Sequence, residues 1–358
     1  MRTPLFDKHV LSGARMVDFN GWEMPLYYSG IIDEHKAVRN NAGLFDLCHM
    51  ARLRVSGEEA EKRLSENTTG DIFSIKPGRA RYMLVCSAAG GIIDDILVYR
   101  AGDYFLVAAN AGSRETVLRV LGARGVCDMT FETGMLAVQG PESPGVADKV
   151  LGGGIPALKN YGFAEFVFEG LKVTASRTGY TGEDGFELFF ESGLSGRLWD
   201  GFMSAGAGCG IQPAGLGARD LLRLEAGMPL YGHELSLSVN PFEAGLGRFV
   251  SFEKPFTGRR ALEKYRTEKP GRMLKGIITT EKAVPRQGCP VYSGEIKAGE
   301  VTSGSYSPSL EKSIGMAYIK KEFSAAGTGL EVEVRKRRIG VKVVDLPFYR
   351  RGRKHGIA

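Results

Sequence analysis

Long apolar runs are missing from this chain. None reaches the ~18 residues that a membrane helix needs, so no membrane-spanning segment is expected. Cysteine is sparse. Cys48, Cys86, Cys127, Cys209 and Cys289 are odd in number, far apart and form no CxxC pair, which argues against a disulfide framework. The five histidines (His9, His35, His49, His233, His355) include no pair at helical spacing, so a zinc site of the common kind lacks support and no metal is expected. Cys48-His49 is half a site at most, and buried structural residues account for it. The start, Met1-Arg2-Thr3-Pro4-Leu5-Phe6-Asp7, has neither the apolar core of a signal peptide nor an Arg/Ser-rich transit character. A reduced compartment, the cytoplasm, is expected. Also absent are G-x-x-x-x-G-K-[ST], a full G-x-G-x-x-G behind a strand, and G-x-S-x-G. A P-loop enzyme, a standard dinucleotide binder and an α/β-hydrolase are thereby disfavoured.

What is present describes a globular protein. At about 150 residues per domain, 358 residues suggest two or three domains. Hydrophobic residues at 43% and charged residues at 25% match folded chains and argue against global disorder. The 49 glycines follow no Gly-X-Y period, so they point to many tight turns. Charge is uneven: 47 Lys/Arg against 41 Asp/Glu gives +6, yet residues 335–358 alone hold nine Lys/Arg and one Asp. The other 334 residues carry 38 against 40, or −2. Such a basic end suits a nucleic acid, an acidic protein or a polycarboxylate ligand. A solvated strand face with a frayed tail would look the same.

Patterning places the elements. Asp33 could cap a helix running to Asn41 with Gly43 as its stop, and Leu44–Val55 reads as extended. Ser56-Gly57-Glu58-Glu59 has the form of a capping box for a helix to about Glu66. Strands are expected at 81–87 and 92–109, turned at Ala88–Gly91 and Gly102-Asp103. Asn110 is a candidate cap for a helix over 113–121, and a strand follows at 126–132, the makings of an α+β unit. A hairpin over 161–176 turns at Glu169-Gly170, and amphipathic helices are expected at 194–204 and 216–226. The charged stretch 253–272 reads as a linker with one short helix. Beyond it, short strands at 273–280, 289–293, 295–301, 313–320, 329–336 and 339–344 favour a small barrel or sandwich.

Three segments put charge into buried patterns. In Gly90-Gly91-Ile92-Ile93-Asp94-Asp95-Ile96-Leu97-Val98-Tyr99, a period of two sends Asp94 and Asp95 to opposite faces, so they are no carboxylate dyad. Either one of them meets strong donors or lines a cavity, or both sit at a strand end and bind backbone. Arg177-Thr178-Gly179-Tyr180-Thr181-Gly182-Glu183-Asp184-Gly185-Phe186-Glu187 is a glycine-dense loop entering a strand. It could let a ligand close to backbone with Tyr180 stacked on a flat ring, or be an ordinary hairpin turn. In Gly215-Leu216-Gly217-Ala218-Arg219-Asp220-Leu221-Leu222-Arg223-Leu224-Glu225, Arg219 lies in a helix's first turn, where the dipole disfavours a cation unless an acidic partner or ligand offsets it. A surface pair of Asp220 with Arg223 is the simpler reading.

Taken with Thr3–Phe6, Gly13–Phe19, Gly21–Leu26, Gly43–Asp46, Val138–Pro141 and Val301–Gly304 with Ser307–Leu310, these segments run in order along the chain. The chain resembles the aminomethyltransferase (T-protein) family of the glycine cleavage system. That resemblance implies an α+β multidomain fold, a three-domain cloverleaf of mixed α/β domains with a C-terminal β-barrel-like domain around a central folate cavity. The implied division is 1–50 with 135–250 as a folate-binding domain, 51–134 as an α+β domain, 251–269 as linker, and 270–358 as the barrel. It implies transfer of a methylene from an aminomethyl group on the lipoyl arm of H-protein to tetrahydrofolate, with release of ammonia. The implied catalytic residue is Asp95. Asn110, Tyr180, Glu187, Arg219 and Arg286 match folate-lining positions. Partners are then the lipoylated H-protein and folate, with neither nucleic acid nor membrane, and a monomer is expected. Cys48 stands where relatives usually carry Ser, and the tail after Pro347-Phe348-Tyr349 is Arg350-Arg351-Gly352-Arg353-Lys354, where some relatives place an aromatic folate contact. Sister folate enzymes that demethylate small amines or a sulfonium compound share this scaffold, and a non-catalytic folate- or RNA-binding protein is the alternative of another class.

Overall fold

Residues 1–352 are described by a computed structural model, so Arg353 and Lys354 of the basic end fall outside the described residues. In chain order, the first elements are α1 (Phe6–Leu11), β1 (Arg15–Phe19), β2 (Trp22–Tyr27), α2 (Ile31–Asn40), β3 (Gly43–Asp46), β4 (Ala51–Ser56) and α3 (Ala60–Asn67). There follow β5 (Arg79–Cys86), β6 (Ile92–Ala101), β7 (Tyr104–Ala109), α4 (Arg114–Leu121), β8 (Val126–Asp128), β9 (Thr133–Gln139) and α5 (Ser143–Leu151). Next are β10 (Phe163–Phe168), β11 (Leu171–Ser176), β12 (Gly185–Glu191), α6 (Ser195–Gly206), β13 (Gln212–Pro213), α7 (Leu216–Glu225) and α8 (Arg259–Glu268). The last are β14 (Arg272–Thr279), β15 (Pro290–Ser293), β16 (Ile296–Ser307), β17 (Lys312–Lys320), β18 (Gly329–Val334) and β19 (Arg337–Val344). No helix among the described residues is long and apolar enough to cross a membrane.

The chain forms two compact units. One comprises Met1–Ser65, Asp71–Met83 and Ile96–Asp220; the other comprises Glu66–Gly70, Leu84–Asp95 and the chain from Leu221 onward. The first contains a six-stranded sheet in the order β10-β11-β12-β9-β3-β13, antiparallel except where β13 runs parallel to β3. Alternate residues Leu136 and Val138 of β9 and Phe186, Leu188 and Phe190 of β12 pack with Leu198, Trp199 and Phe202 of α6. Each such apolar side chain contributes about 1.5–3 kcal/mol on burial. Glu169 and Gly170 turn the β10–β11 hairpin with φ of 50° and 79°, as a two-residue primed turn requires. A second sheet has the order β5-β6-β7-β4-β8.

Several local expectations needed correction. Asp33 is not a cap. Gly30 occupies the cap position, and buried Glu34 accepts the N–H groups of Ser29 and Gly30 at 3.0 and 3.3 Å, with its other oxygen on the Gly215 N–H at 2.9 Å. The extended stretch 44–55 is broken at 47–50, because Asp46 accepts the Cys48 N–H at 2.8 Å and Met50 N–H turns back to the Leu47 carbonyl. Fully buried Arg52 holds that turn by donating to the carbonyls of Cys48 and Met50 at 3.1 and 2.6 Å. Asn110 gives no side-chain cap; its carbonyl accepts from Ser113. The capping-box helix begins only at Ala60. No sequence expectation covers α1, β1, β2, β9, α5 or β13.

A polar chain runs from partly buried Tyr28 to buried His9 and Asp46. Tyr28 Oη is 2.9 Å from His9 Nδ1, and His9 Nε2 is 2.9 Å from Asp46 Oδ2. Burial pushes the Asp46 carboxyl up, but the hydrogen bond and charge of His9 and the Cys48 N–H prevail and hold it at about 2. In the second unit, β14-β17-β16-β15-β18-β19 close into a barrel around Ile277, Val291, Val301, Ile319, Val332, Val341 and Val343. The expected short strands are thus a closed barrel of six.

Arg223 does not pair at the surface as the simpler reading had it. It is buried and donates to Glu234 Oε2 and Ser303 Oγ, both at 2.8 Å, while Glu225 accepts from Ser307 and Ser309 at 2.5 and 2.9 Å. Removing one partner leaves an uncompensated charge, at about 3–5 kcal/mol. Arg223→Ala should therefore lower unfolding free energy by that order in urea titrations, and Arg223→Met with Glu234→Met should recover most of it. An equal loss in single and double variants would show that packing, not the ion pair, sets the cost.

Candidate functional site

Glu187 stands in β12 between Phe186 and Leu188, both fully buried. Its neighbours in register are Ala137 of β9 and Ser176 of β11. A carboxylate in such a row needs donors. Thr178 supplies its hydroxyl to Oε2 at 2.5 Å, and Tyr99 of β6 reaches the same oxygen at 3.4 Å. Among the described residues, both donors converge on Oε2. Burial raises the Glu187 carboxyl above its ordinary value, opposed by Thr178, the Arg219 charge and Tyr99. The Tyr99 hydroxyl is likewise driven up, first by burial and then by the Glu187 charge. The Tyr99 ring is fixed edge-on against Phe163 and Phe189 at 5.6 and 5.1 Å.

The glycine-dense loop between β11 and β12 is wrapped around one side chain. Gln139 Nε2 donates to the Thr178 carbonyl at 3.2 Å, and Thr181 Oγ1 donates to Gln139 Oε1 at 2.9 Å. A Cβ at Gly179 would fall 2.1 Å from Gln139 Oε1, and one at Gly185 would fall 2.4 Å from Nε2. Only hydrogen fits at either place. Outside this wrap, Arg39 donates to Glu183 and to the Thr181 carbonyl, both at 2.8 Å, and Arg177 forks onto Asp184 at 2.9 and 2.5 Å. The loop is therefore more than a hairpin turn. Its purpose in local terms is to present Thr178 and Tyr180.

Arg219 lies in the first turn of α7, half-buried, with its guanidinium carbon 4.7 Å above the Tyr180 ring. Burial lowers its proton affinity, and the Glu187 charge raises it again. The structure thus brings Tyr180, Glu187 and Arg219 together, with the acidic partner that a cation at a helix N-terminus requires. Asn110 follows β7 in the same unit, partly buried.

Asp95 and Arg286 belong to the second unit. Burial along β6 alternates as the period of two dictates: Asp94 is wholly buried with Ile92, Ile96 and Val98, while Asp95 is half-buried and shares a face with Leu97 and Tyr99. Gly91, which precedes them, packs so tightly that a Cβ would lie 1.9 Å from the Leu237 carbonyl. The Ile92 N–H donates to the carbonyls of Ser236 and Val239 at 3.1 and 2.9 Å. The Tyr231 hydroxyl is raised by burial and by the Asp94 charge. Arg286 is exposed and donates to the Gly304 carbonyl at 3.2 Å.

Sequence reasoning missed Thr178, Gln139 and Tyr231, whereas His49 is the buried residue it expected. The first two carry a signal in hindsight, since glycines at 179 and 185 demand a bulky neighbour and a threonine beside a buried glutamate is a ready donor. His49 sits in the 47–50 turn, 2% exposed, edge-on to Phe19, with Nδ1 buried and unpartnered. Burial, with Arg219 and Arg52 nearby, holds its imidazole down to about 3 against the pull of Asp46. Cys48 is buried, its Sγ 3.4 Å from the Met135 carbonyl. Among the described residues no group of three or more His, Cys, Asp or Glu is arranged to hold a metal.

Comparison with known proteins covers nearly the whole chain. The model of the GCVT N-terminal domain matches residues 5–254, and that of the glycine cleavage T-protein C-terminal barrel domain matches 272–350. An aminomethyltransferase of Streptomyces avermitilis is 47% identical over 98% of this chain and 97% of its own length. One from Geobacillus kaustophilus is 42% identical over 98% and 99%. The crystal structure of glycine cleavage system aminomethyltransferase T from Bartonella henselae superposes with a TM-score of 0.91 at 31% identity, over 98% of each chain.

Thr178→Val tests the carboxylate's dependence on its donor. The folded-state value of Glu187 lies above the ordinary one, so its ionised form weakens the fold at neutral pH, and protonation relieves that as pH falls. Losing the hydroxyl should cost about 1–3 kcal/mol at pH 7 and less at pH 5, as read by denaturant titration. Equal losses at both would rule out an ionised Glu187 as the cause.

Proposed function

Because the chain belongs to the glycine cleavage T-protein family, and is an aminomethyltransferase of that system, we propose that it moves the methylene of a carrier-bound aminomethyl group to tetrahydrofolate. The donor is the lipoyl arm of the H-protein; the products are ammonia, 5,10-methylenetetrahydrofolate and the dihydrolipoyl carrier. In this exchange the methylene carbon loses its bonds to sulfur and to the amine, and gains bonds to N5 and N10 of the folate. Two protons leave those nitrogens, one reaching sulfur and one the departing ammonia. A reaction of this balance needs held partners and a proton carrier, not a covalent link to the enzyme.

The observation that carries the reading is the Glu187 carboxylate, buried, with its two protein donors on one oxygen. A pterin edge offers an amine beside a ring N–H, and a carboxylate accepts such a pair. Tyr180, held under Arg219, supplies a flat face, and Arg219 and Arg286 suit the carboxylates of the glutamyl tail. Asn110 completes the folate-binding set. Asp95, on the Tyr99 face of β6, takes the role of assisting N5 as it attacks. We assign three domains, 1–50 with 135–250, 51–134 and 270–358, joined by 251–269; the gap between the two family matches, from 254 to 272, supports that linker. The dispersed free cysteines support a cytoplasmic location.

Asp95→Asn should lower turnover by about 10²- to 10⁴-fold while calorimetry shows tetrahydrofolate binding retained. Undiminished turnover would remove Asp95 from the chemistry and favour a binding protein. Glu187→Ala should abolish measurable tetrahydrofolate binding. Ammonia release should require the lipoylated carrier, whereas turnover of free dimethylglycine or sarcosine would reassign the chain to a sister folate enzyme.

A further inference from the structure

One charged feature takes no part in this chemistry. The β18–β19 hairpin turns at Arg335 and Lys336, whose φ angles of 51° and 65° are both left-handed. Such turns favour Asn-Gly, because other residues in that region cost about 1 kcal/mol each. This chain instead places long cations at both positions and follows them with Arg337 and Arg338, all four exposed. The four are not equivalent. Arg338 stacks 3.8 Å over the Tyr292 ring and lies 3.5 and 3.6 Å from Glu331 and Glu295. Among the described residues, no carboxylate pairs with Arg335, Lys336 or Arg337. The ladder that pairs Val334 with Arg337 and Glu333 with Arg338 holds these three uncompensated cations at a fixed tip.

We propose that this tip is an electrostatic docking point for a cluster of carboxylates on a partner protein and, resting on the function proposed above, that the partner is the lipoylated carrier. A nucleic acid is disfavoured by the neighbourhood: tracking a phosphate backbone commonly takes about 6–10 contacts, but Glu331 and Glu333 flank the tip and residues 1–334 sum to −2. A folate tail is disfavoured by shape, since small ligands occupy concave sites and a hairpin tip is convex. Exposed cations add little to affinity once a complex is formed. They raise the rate of encounter, and salt screens that gain.

The test is Arg335→Asn with Lys336→Gly and Arg337→Gln, which gives the turn its preferred residues and so keeps the hairpin folded; thermal stability should hold or rise. At low ionic strength the KM for the carrier should increase roughly three- to tenfold, and its dependence on salt should flatten. kcat and the KM for tetrahydrofolate should not move. An unchanged carrier KM and salt slope in a carrier-dependent enzyme overturns this proposal alone. A shift confined to the KM for polyglutamylated folate overturns it in favour of the vitamin's tail, and retained binding of the parent chain to single-stranded RNA that the variant loses overturns it in favour of nucleic acid. Carrier-independent ammonia release overturns the docking proposal together with the function on which it rests.

Discussion

A carboxylate placed in the middle of an apolar strand has to be matched by donors, and the arrangement around Glu187 follows from that requirement. Thr178 from the loop before β12 and Tyr99 from β6 reach one oxygen. Thr178 is available only because the loop behind it is bound to Gln139. Gln139 can occupy that place only because residues 179 and 185 have no side chain. Arg39 and Arg177 close the loop from outside by pairing with Glu183 and Asp184. Each of these is an ordinary interaction. Together they form a chain of dependence in which a buried acid dictates the composition of a loop several residues away.

The same logic explains the cation opposite. Arg219 opens a helix, where the aligned peptide dipoles oppose positive charge, and it is half removed from water. Two things offset this: the Glu187 charge and the face of Tyr180. Each charge thus favours the other's ionised form against the burial that opposes both, a common condition of sites that recognise polar ligands.

Much of this architecture is legible in the sequence where one local rule dominates. The Glu169-Gly170 turn, the strands of the barrel and the alternation of Ile92, Asp94, Ile96 and Val98 against Asp95 and Leu97 all follow from turn chemistry or a period of two. Legibility fails where long-range partners decide. Asp33 has the look of a helix cap, but Glu34 satisfies the turn before α2 and reaches Gly215, some 180 residues on. The break at 47–50 depends on Arg52 curling back to carbonyls that no window around it marks as special. Arg223 reads as a surface residue by spacing, and only the barrel's Ser303 and the buried Glu234 reveal otherwise. Within the candidate site, Glu187 and Arg219 are visible as charges out of place. Thr178 and Gln139 are not, because their roles exist only in relation to them.

The short segments 66–70 and 84–95 belong to a unit whose remaining residues begin at Leu221. On a ribosome the chain emerges from its amino end, so these stretches leave the exit tunnel long before the residues they will pack with. For more than a hundred codons the Ile92–Asp95 strand start waits without the part of its unit that begins at Leu221. Cutting the gene at any single point would not separate the two units into independently expressible pieces.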